Sequence, residues 1–171
     1  MTESTLLTGE TPRETALAWM FVGVQFLLLM LIAVLPPGDV WPVPYWLDRV
    51  AFGLQVVGIG VLVLGIVNLG RSLTPLPTPV PHGELRVSGL FRLVRHPIYT
   101  GILALALGLT IRSSSLWVAG ATVALAAWFT VKARWEETRL VRRYPAYAAY
   151  ASRTPRFVPF WPVHPAPPEG V

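Results

Sequence analysis

The chain has no cysteine, few charged residues and only one lysine, and each of these shortages excludes a class of protein. Without cysteine it can form no disulfide scaffold, thiolate metal site or cysteine nucleophile. Charged residues make up 13% of the sequence, about half the share usual in a soluble domain, whereas hydrophobic residues make up 53%. Such a chain is too apolar to be disordered, and a water-soluble globule could not cover its apolar surface. The composition therefore predicts an integral membrane protein.

The basic residues are distributed as the flanks of membrane helices and not as a nucleic-acid-binding face. The formal net charge is +5, and the arginines lie at the ends of apolar runs. They are dense in residues 71–95 and 132–156, whereas the opposite loops contain only Arg49 and Arg112. The positive-inside rule therefore places both termini and the middle loop in the cytoplasm. The dominance of arginine over lysine and the richness in alanine and valine are typical of a GC-rich bacterial genome, which favours a bacterial inner membrane. The three scattered histidines predict no metal site.

Four apolar runs predict an all-α fold, a single polytopic membrane domain over residues 1–171 with four transmembrane helices. Three of the runs carry no charge and approach the roughly 20 residues that a bilayer core requires: 16–35, 50–69 and 113–131. The remaining run, residues 98–111, is shorter. We expect it to pair with the last run in a tight hairpin that turns at residues 112–115.

The segments between and after the runs are less regular. Residues 72–83 contain four prolines, which favours an extended segment, either a stiff linker or a strap over a binding cleft. A cytoplasmic helix is expected after the last run, with Leu140, Tyr144 and Tyr147 on one face because of their three- and four-residue spacing. Residues 162–171 are expected to form a frayed tail.

The glycines of the second run do not spell the dinucleotide-binding fingerprint, because no strand precedes them. They lie inside an apolar helix, where small residues allow close approach of a neighbouring helix. These glycines are Gly53, Gly58, Gly60 and Gly65.

Two polar groups of residues are predicted to meet at the cytoplasmic face. The first is residues 95–101, RHPIYTG, which surround a helix-breaking proline where an apolar run enters the membrane. The second contains the adjacent carboxylates Glu136 and Glu137, directly after the last apolar run. A basic helix flank and a solvated charge cluster are the structural alternatives. A cavity lined by arginine, histidine, tyrosine and glutamate at the bilayer edge would instead be a functional site.

These motifs resemble those of the isoprenylcysteine carboxyl methyltransferase family and its phospholipid-methyltransferase relatives. The resemblance covers residues 83–161 and is carried by ordered blocks: RHPIYTG at 95–101, the Glu136–Glu137 pair, two tyrosines, and RTP at 153–155. The two tyrosines are Tyr147 and Tyr150. Tyr144 and Pro145 stand where many relatives have a Phe-Gly pair.

The resemblance implies an integral membrane methyltransferase that uses S-adenosylmethionine and has no Rossmann fold. The residues that match the cofactor motifs of the family are His96, Pro97, Tyr99, Glu136 and Glu137. The residues that match its arginines near the transferred methyl group and the acceptor are Arg95 and Arg153.

The expected acceptor is a lipid-like or otherwise apolar small molecule. If those two arginines face the acceptor, its reacting group is anionic, such as a carboxylate, because arginine cannot serve as a base. Two other functions remain open: an NADPH-binding membrane reductase, since sterol reductases have a similar Arg-His-Pro-x-Tyr block, and a non-enzymatic membrane scaffold.

Overall fold

A computed structural model describes residues 12–70 and 85–163 of the chain. Within these residues the fold is entirely helical, as predicted, and contains no strand. The proline-rich segment predicted at 72–83 and most of the predicted tail lie outside the described residues. The elements, in chain order, are helices α1 (Pro12–Val34) and α2 (Tyr45–Leu69), a 3-10 turn (Gly89–Arg92), and helices α3 (Pro97–Ser113), α4 (Leu116–Arg143) and α5 (Tyr147–Ala151).

Three of these helices, α1, α2 and α4, are long and apolar enough to cross a membrane. Many of their large apolar side chains point outward; Phe26 on α1 is 62% exposed and Val67 on α2 is 68% exposed. A bilayer would cover these side chains, so the chain is an integral membrane protein. Helix α3 has 17 residues, about 25 Å of helix, which is less than a hydrocarbon core of roughly 30 Å. The count of four spans therefore stays a prediction.

Helices α2 and α3 pack along their length because glycines face each other across the interface. A Cβ atom on Gly101 would lie 2.7 Å from the Gly58 carbonyl oxygen and 2.7 Å from the Leu62 amide nitrogen. The packing interpretation of the glycine-rich run is thus confirmed at Gly58 and Gly65, which both approach α3. It is wrong for the other two glycines of the run, Gly53 and Gly60, where a Cβ would meet only open space.

The predicted hairpin between α3 and α4 is confirmed. Helix α3 ends at Ser113 and α4 begins at Leu116, with Ser114 in the left-handed conformation at φ 48°. The loop before α2 braces this turn, since the Trp41 amide donates to Ser114 Oγ at 2.9 Å and the Trp41 indole donates to the Ile111 carbonyl at 3.1 Å. These contacts fix the end of the bundle that lies opposite the start of α3.

Helix α4 extends far beyond the apolar run that predicts it. The run ends at Val131, but the helix continues to Arg143 and therefore carries Glu136 and Glu137 on the same rigid element as the apolar residues. The prediction of one helical face that includes Tyr144 and Tyr147 is wrong. The chain leaves the helix at Tyr144 because the following Pro145 has no amide proton and disfavours helical geometry before it.

Helix α1 packs against α4 and reaches the polar half of that helix. The rings of Phe21 and Trp128 have centroids 5.2 Å apart, and the Trp128 indole donates to the Phe21 carbonyl at 3.2 Å. Further along, Arg139 forms an ion pair with Glu14 at 3.1 Å. These contacts place α1 beside the charged part of α4.

Candidate functional site

Three segments converge at one end of the bundle: the residues before α3, the last turns of α4 and residues 154–157. The backbones of the first and last segments are hydrogen-bonded, since the Arg95 amide donates to the Pro155 carbonyl at 2.8 Å and the His96 amide to the Arg156 carbonyl at 3.1 Å. Pro97 begins α3, a position where the missing amide proton costs nothing and the fixed φ suits a helix. Residues far apart in sequence are therefore held together by main-chain contacts.

Glu137 is the centre of the site and is completely enclosed, with 0% of its side chain exposed. Arg156 binds it with two parallel hydrogen bonds, from Nε to Oε1 at 3.0 Å and from Nη2 to Oε2 at 2.7 Å. His96 Nε2 lies 3.0 Å from Oε1, and Arg95 Nη1 lies 3.2 Å from Oε2. A buried carboxylate with this many partners is stabilised by charge-assisted hydrogen bonds. Its oxygen atoms are already occupied by groups of the protein.

Glu136 differs from its neighbour because 15% of its side chain remains exposed. The Tyr99 hydroxyl donates to Glu136 Oε1 at 2.5 Å, and His96 Nδ1 lies 3.5 Å from Oε2. The His96 ring thus faces a carboxylate with each of its nitrogens, so a proton on either one provides a donor to a carboxylate. Of the two adjacent carboxylates, Glu136 is the one that retains an accessible edge.

Stacked rings form the apolar wall of the site. The Tyr99 ring stacks on Phe129, with centroids 4.4 Å apart and an interplanar angle of 8°. It also lies parallel to the His96 ring at 5.3 Å. The ammonium of Lys132 lies 5.2 Å from the Tyr99 ring centroid, within range of a cation–π contact. A planar or positively charged ligand would suit such a wall.

Hydrogen bonding and burial shift the pKa values of three groups near this end of the bundle. The hydrogen bonds to Glu137 raise the pKa of the Arg156 guanidinium. Burial raises the pKa of Tyr147, and burial likewise raises the pKa of Tyr150, whose hydroxyl donates to the Phe91 carbonyl at 2.6 Å. Both phenols therefore stay protonated at neutral pH and neither is suited to act as a base.

The structure brings together six of the seven residues singled out from the sequence. These are Arg95, His96, Pro97, Tyr99, Glu136 and Glu137. The seventh, Arg153, is exposed, and its Nε donates to the Ala149 carbonyl at 3.1 Å.

Sequence reasoning missed two cations of the site, Arg156 and Lys132. Arg156 is one arginine among many, and the side-chain pattern does not distinguish it from the others. Lys132 is the only lysine of the chain and lies one helical turn before Glu136, a spacing that could have identified it.

The fold and this cluster define a helical membrane protein with a polar, charge-dense site at one end of its bundle. The family model for phospholipid methyltransferases matches residues 47–147, which is more than half of the chain. The chain belongs to the phospholipid methyltransferase family, as the sequence motifs predict, and is a membrane methyltransferase by that membership. No curated protein matches the chain. The matched region contains α2, α3 and α4, but neither α1 nor the segment that carries Arg153 and Arg156.

Proposed function

We propose that the chain transfers a methyl group from S-adenosylmethionine to a lipid-like or otherwise apolar small molecule in the membrane. The observation that carries this proposal is the pairing of a partly exposed carboxylate, Glu136, with the stacked rings of Tyr99 and His96. Membership in the methyltransferase family supports the reaction, and this geometry supports the position of the cofactor.

The residues of the site fit the chemistry of the cofactor. S-adenosylmethionine carries an ammonium, ribose hydroxyls, a planar base and a positively charged sulfur. The accessible edge of Glu136 suits the ammonium or the hydroxyls, because hydrogen bonds to a carboxylate are among the strong ones. His96, Pro97 and Tyr99 form the neighbouring wall. Glu137 is fully enclosed, so we assign it the role of orienting His96, Arg95 and Arg156.

When bound, S-adenosylmethionine supplies an activated methyl group, so the protein mainly has to align the reacting groups. Alignment of this kind can contribute up to about 7–11 kcal/mol. Arg95, fixed by Glu137, and Arg153 are the proposed residues on the acceptor side. A guanidinium binds an oxyanion well but cannot remove a proton. The proposed acceptor group is therefore already anionic, for example a carboxylate.

The proposed topology places the site at the cytoplasmic face of a bacterial inner membrane, with both termini in the cytoplasm. The support is the density of arginines at this end of the bundle, including Arg134, Arg139, Arg142 and Arg143 on the last turns of α4. A soluble cofactor could then enter from the cytoplasm, whereas an apolar acceptor could arrive laterally through the bilayer.

The first test concerns cofactor binding. Replacing Glu136 with alanine is expected to weaken S-adenosylmethionine binding at least tenfold, equivalent to about 1.4 kcal/mol, because the accessible carboxylate is lost. His96→Ala is expected to act in the same direction. Isothermal titration calorimetry on the detergent-solubilised protein measures the dissociation constant.

The matched control for this test is Asp39→Asn, which removes an exposed carboxylate from the loop at the opposite end of the bundle. Its affinity is expected to equal that of the wild type. Unchanged affinity in Glu136→Ala would contradict the proposed pocket, and binding of NADPH in place of S-adenosylmethionine would replace the methyltransferase proposal with the reductase.

The second test separates the acceptor side from the cofactor side. Arg153→Ala is expected to raise the KM for the acceptor several-fold while the dissociation constant of S-adenosylmethionine stays unchanged, because its guanidinium is exposed and away from Glu136 and Glu137. The measurement is the initial rate of labelled-methyl incorporation into a titrated membrane-lipid extract. Arg142→Ala, another exposed arginine, serves as the control. Equal rates for both variants would remove Arg153 from the proposed site.

A further inference from the structure

Lys132 is a buried cation inside the membrane-spanning helix α4. Its side chain is enclosed, with 3% of the residue exposed, and it lies one helical turn, about 6 Å, deeper than Glu136. A charge at such a position is costly in a bilayer and usually marks a binding site or an ion pathway. Neither the family match nor the cofactor proposal assigns it a role.

The direct contacts of Lys132 are made with neutral groups, and the Glu136 carboxylate is close enough to interact with it electrostatically. Its Nζ donates to Gln25 Oε1 on α1 at 2.7 Å and lies 5.2 Å from the centroid of the Tyr99 ring. Among the described residues it forms no ion pair within 4.0 Å. An ammonium has three donors, so this one hydrogen bond leaves two of them available.

Gln25 adds further donors to the same place. Because an ammonium can only donate, the Gln25 amide must turn its oxygen toward Lys132, and its NH2 group then points away. Gln25 is half-buried, and in the part of the chain that the structure describes its amide nitrogen donates to no protein group. The pair therefore presents only N–H donors, in a region where hydrocarbon provides no acceptor.

The charges of the whole site also favour an anionic ligand. Three basic side chains, Arg95, Arg156 and Lys132, are gathered around two carboxylates, Glu136 and Glu137. With Lys132 protonated, the site has an excess of positive charge before any ligand binds. An anion near Lys132 would balance this excess in a low-dielectric environment, where an uncompensated charge is most costly.

We propose that Lys132 and Gln25 bind the anionic oxygens, carboxylate or phosphate, of an amphiphile that reaches them from the bilayer along the seam between α1 and α4. The identification of this amphiphile as the methyl acceptor rests on the proposed function. Gln25 lies outside the region that the family model matches, so α1 would contribute to the choice of acceptor.

The experiment uses amphiphiles of equal chain length on the full chain in dodecyl maltoside. The probes are dodecanoate, dodecyl phosphate, dodecanol and dodecyltrimethylammonium, with acetate and inorganic phosphate as soluble anions. We expect the two amphiphilic anions to bind at least tenfold more tightly than the neutral and cationic probes, measured from tryptophan fluorescence titrations. The soluble anions are expected not to bind, because Lys132 is enclosed and these anions lack the apolar chain by which an amphiphile would approach it from the bilayer. Equal binding of dodecanol and dodecanoate would overturn the proposal.

Substitutions test whether Lys132 and Gln25 produce the preference for anionic amphiphiles. Lys132→Met is expected to lower the tenfold preference for anions to what Arg95 and Arg153 alone provide, Gln25→Leu to lower it by a smaller amount, and Lys132→Arg to retain it because the positive charge is kept. An undiminished preference in Lys132→Met would overturn the proposal. If Lys132→Met does not fold, the proposal is still tested by the binding of the probes to the wild-type protein and to Gln25→Leu, since neither measurement depends on that variant.

S-adenosylmethionine binding, measured in the same samples, separates the two proposals. Wild-type protein that binds the cofactor but shows no preference for anions would refute the anion site alone. Wild-type protein that prefers anions through Lys132 but does not bind the cofactor would support the anion site and refute the proposed function, together with the identification of the amphiphile as a methyl acceptor.

Discussion

Replacing Glu137 with alanine is expected to lower the free energy of unfolding by about 3–5 kcal/mol. The substitution removes the carboxylate that lies 3.2 Å from the enclosed Arg95 and 2.7 Å from the partly buried Arg156. It also removes the acceptor that faces His96 Nε2. Removing one member of a buried charge cluster is costly because the remaining charges cannot be resolvated. Thermal or denaturant unfolding in detergent measures the loss, and cofactor binding is expected to disappear with it.

The adjacent substitution, Glu136→Ala, is the matched control. It removes the same side chain one residue earlier on the same helix, but from a position that keeps solvent contact. Its effect on stability is expected to stay near 1 kcal/mol, typical of a lost hydrogen bond. Equal destabilisation by the two variants would contradict the assignment of Glu137 as the buried centre of the cluster.

Gly101→Ala is expected to destabilise the protein by about 1–3 kcal/mol, although alanine is the better helix former. The added methyl group would lie 2.7 Å from the Gly58 carbonyl oxygen and 2.7 Å from the Leu62 amide nitrogen. Both are backbone atoms of α2, which cannot rotate away, so the two helices must separate. Because Tyr99 lies on the same helix two residues earlier, we expect cofactor affinity to fall as well.

Gly60→Ala, on α2 but outside its interface with α3, is expected to change stability in the opposite direction. It lies on α2, and a Cβ there meets nothing within 4 Å. Substitution is expected to raise stability by about 0.5–1 kcal/mol through helix propensity alone. If Gly101→Ala raised the unfolding midpoint as Gly60→Ala is expected to do, α2 and α3 would not approach each other as described.

Much of the fold follows from the apolar runs of the sequence, because a membrane helix requires a minimum length of apolar residues. The residues 16–35 and 50–69 predict α1 and α2, and the serines at 113–115 correctly mark the hairpin turn. The end of α4 could not be predicted in this way. An apolar run ends where charges begin, but helical hydrogen bonding continues until the Tyr144–Pro145 step stops it.

The candidate site is predicted well where its residues flank the ends of the membrane helices and poorly where a residue lies in the irregular segment after them. Glu136 and Glu137 meet His96 because α3 and α4 form a hairpin whose open ends lie together. Arg156 could not be identified, because the segment that carries it is placed by backbone hydrogen bonds that any residues could make. Lys132 directly follows the apolar run that ends at Val131, so the pattern of apolar runs does not distinguish it from the basic residues that flank the helix.

The backbone pairing between Arg95–His96 and Pro155–Arg156 has a consequence for the order in which the protein is made. Glu137 is synthesised with α4, but Arg156, which binds both of its oxygens, emerges from the ribosome nineteen residues later. Until then the nascent hairpin inserts with this carboxylate facing only Arg95 and His96. Charge compensation is thus completed by a segment that is translated after helices α1 to α4, so the site can mature only once those helices have been synthesised.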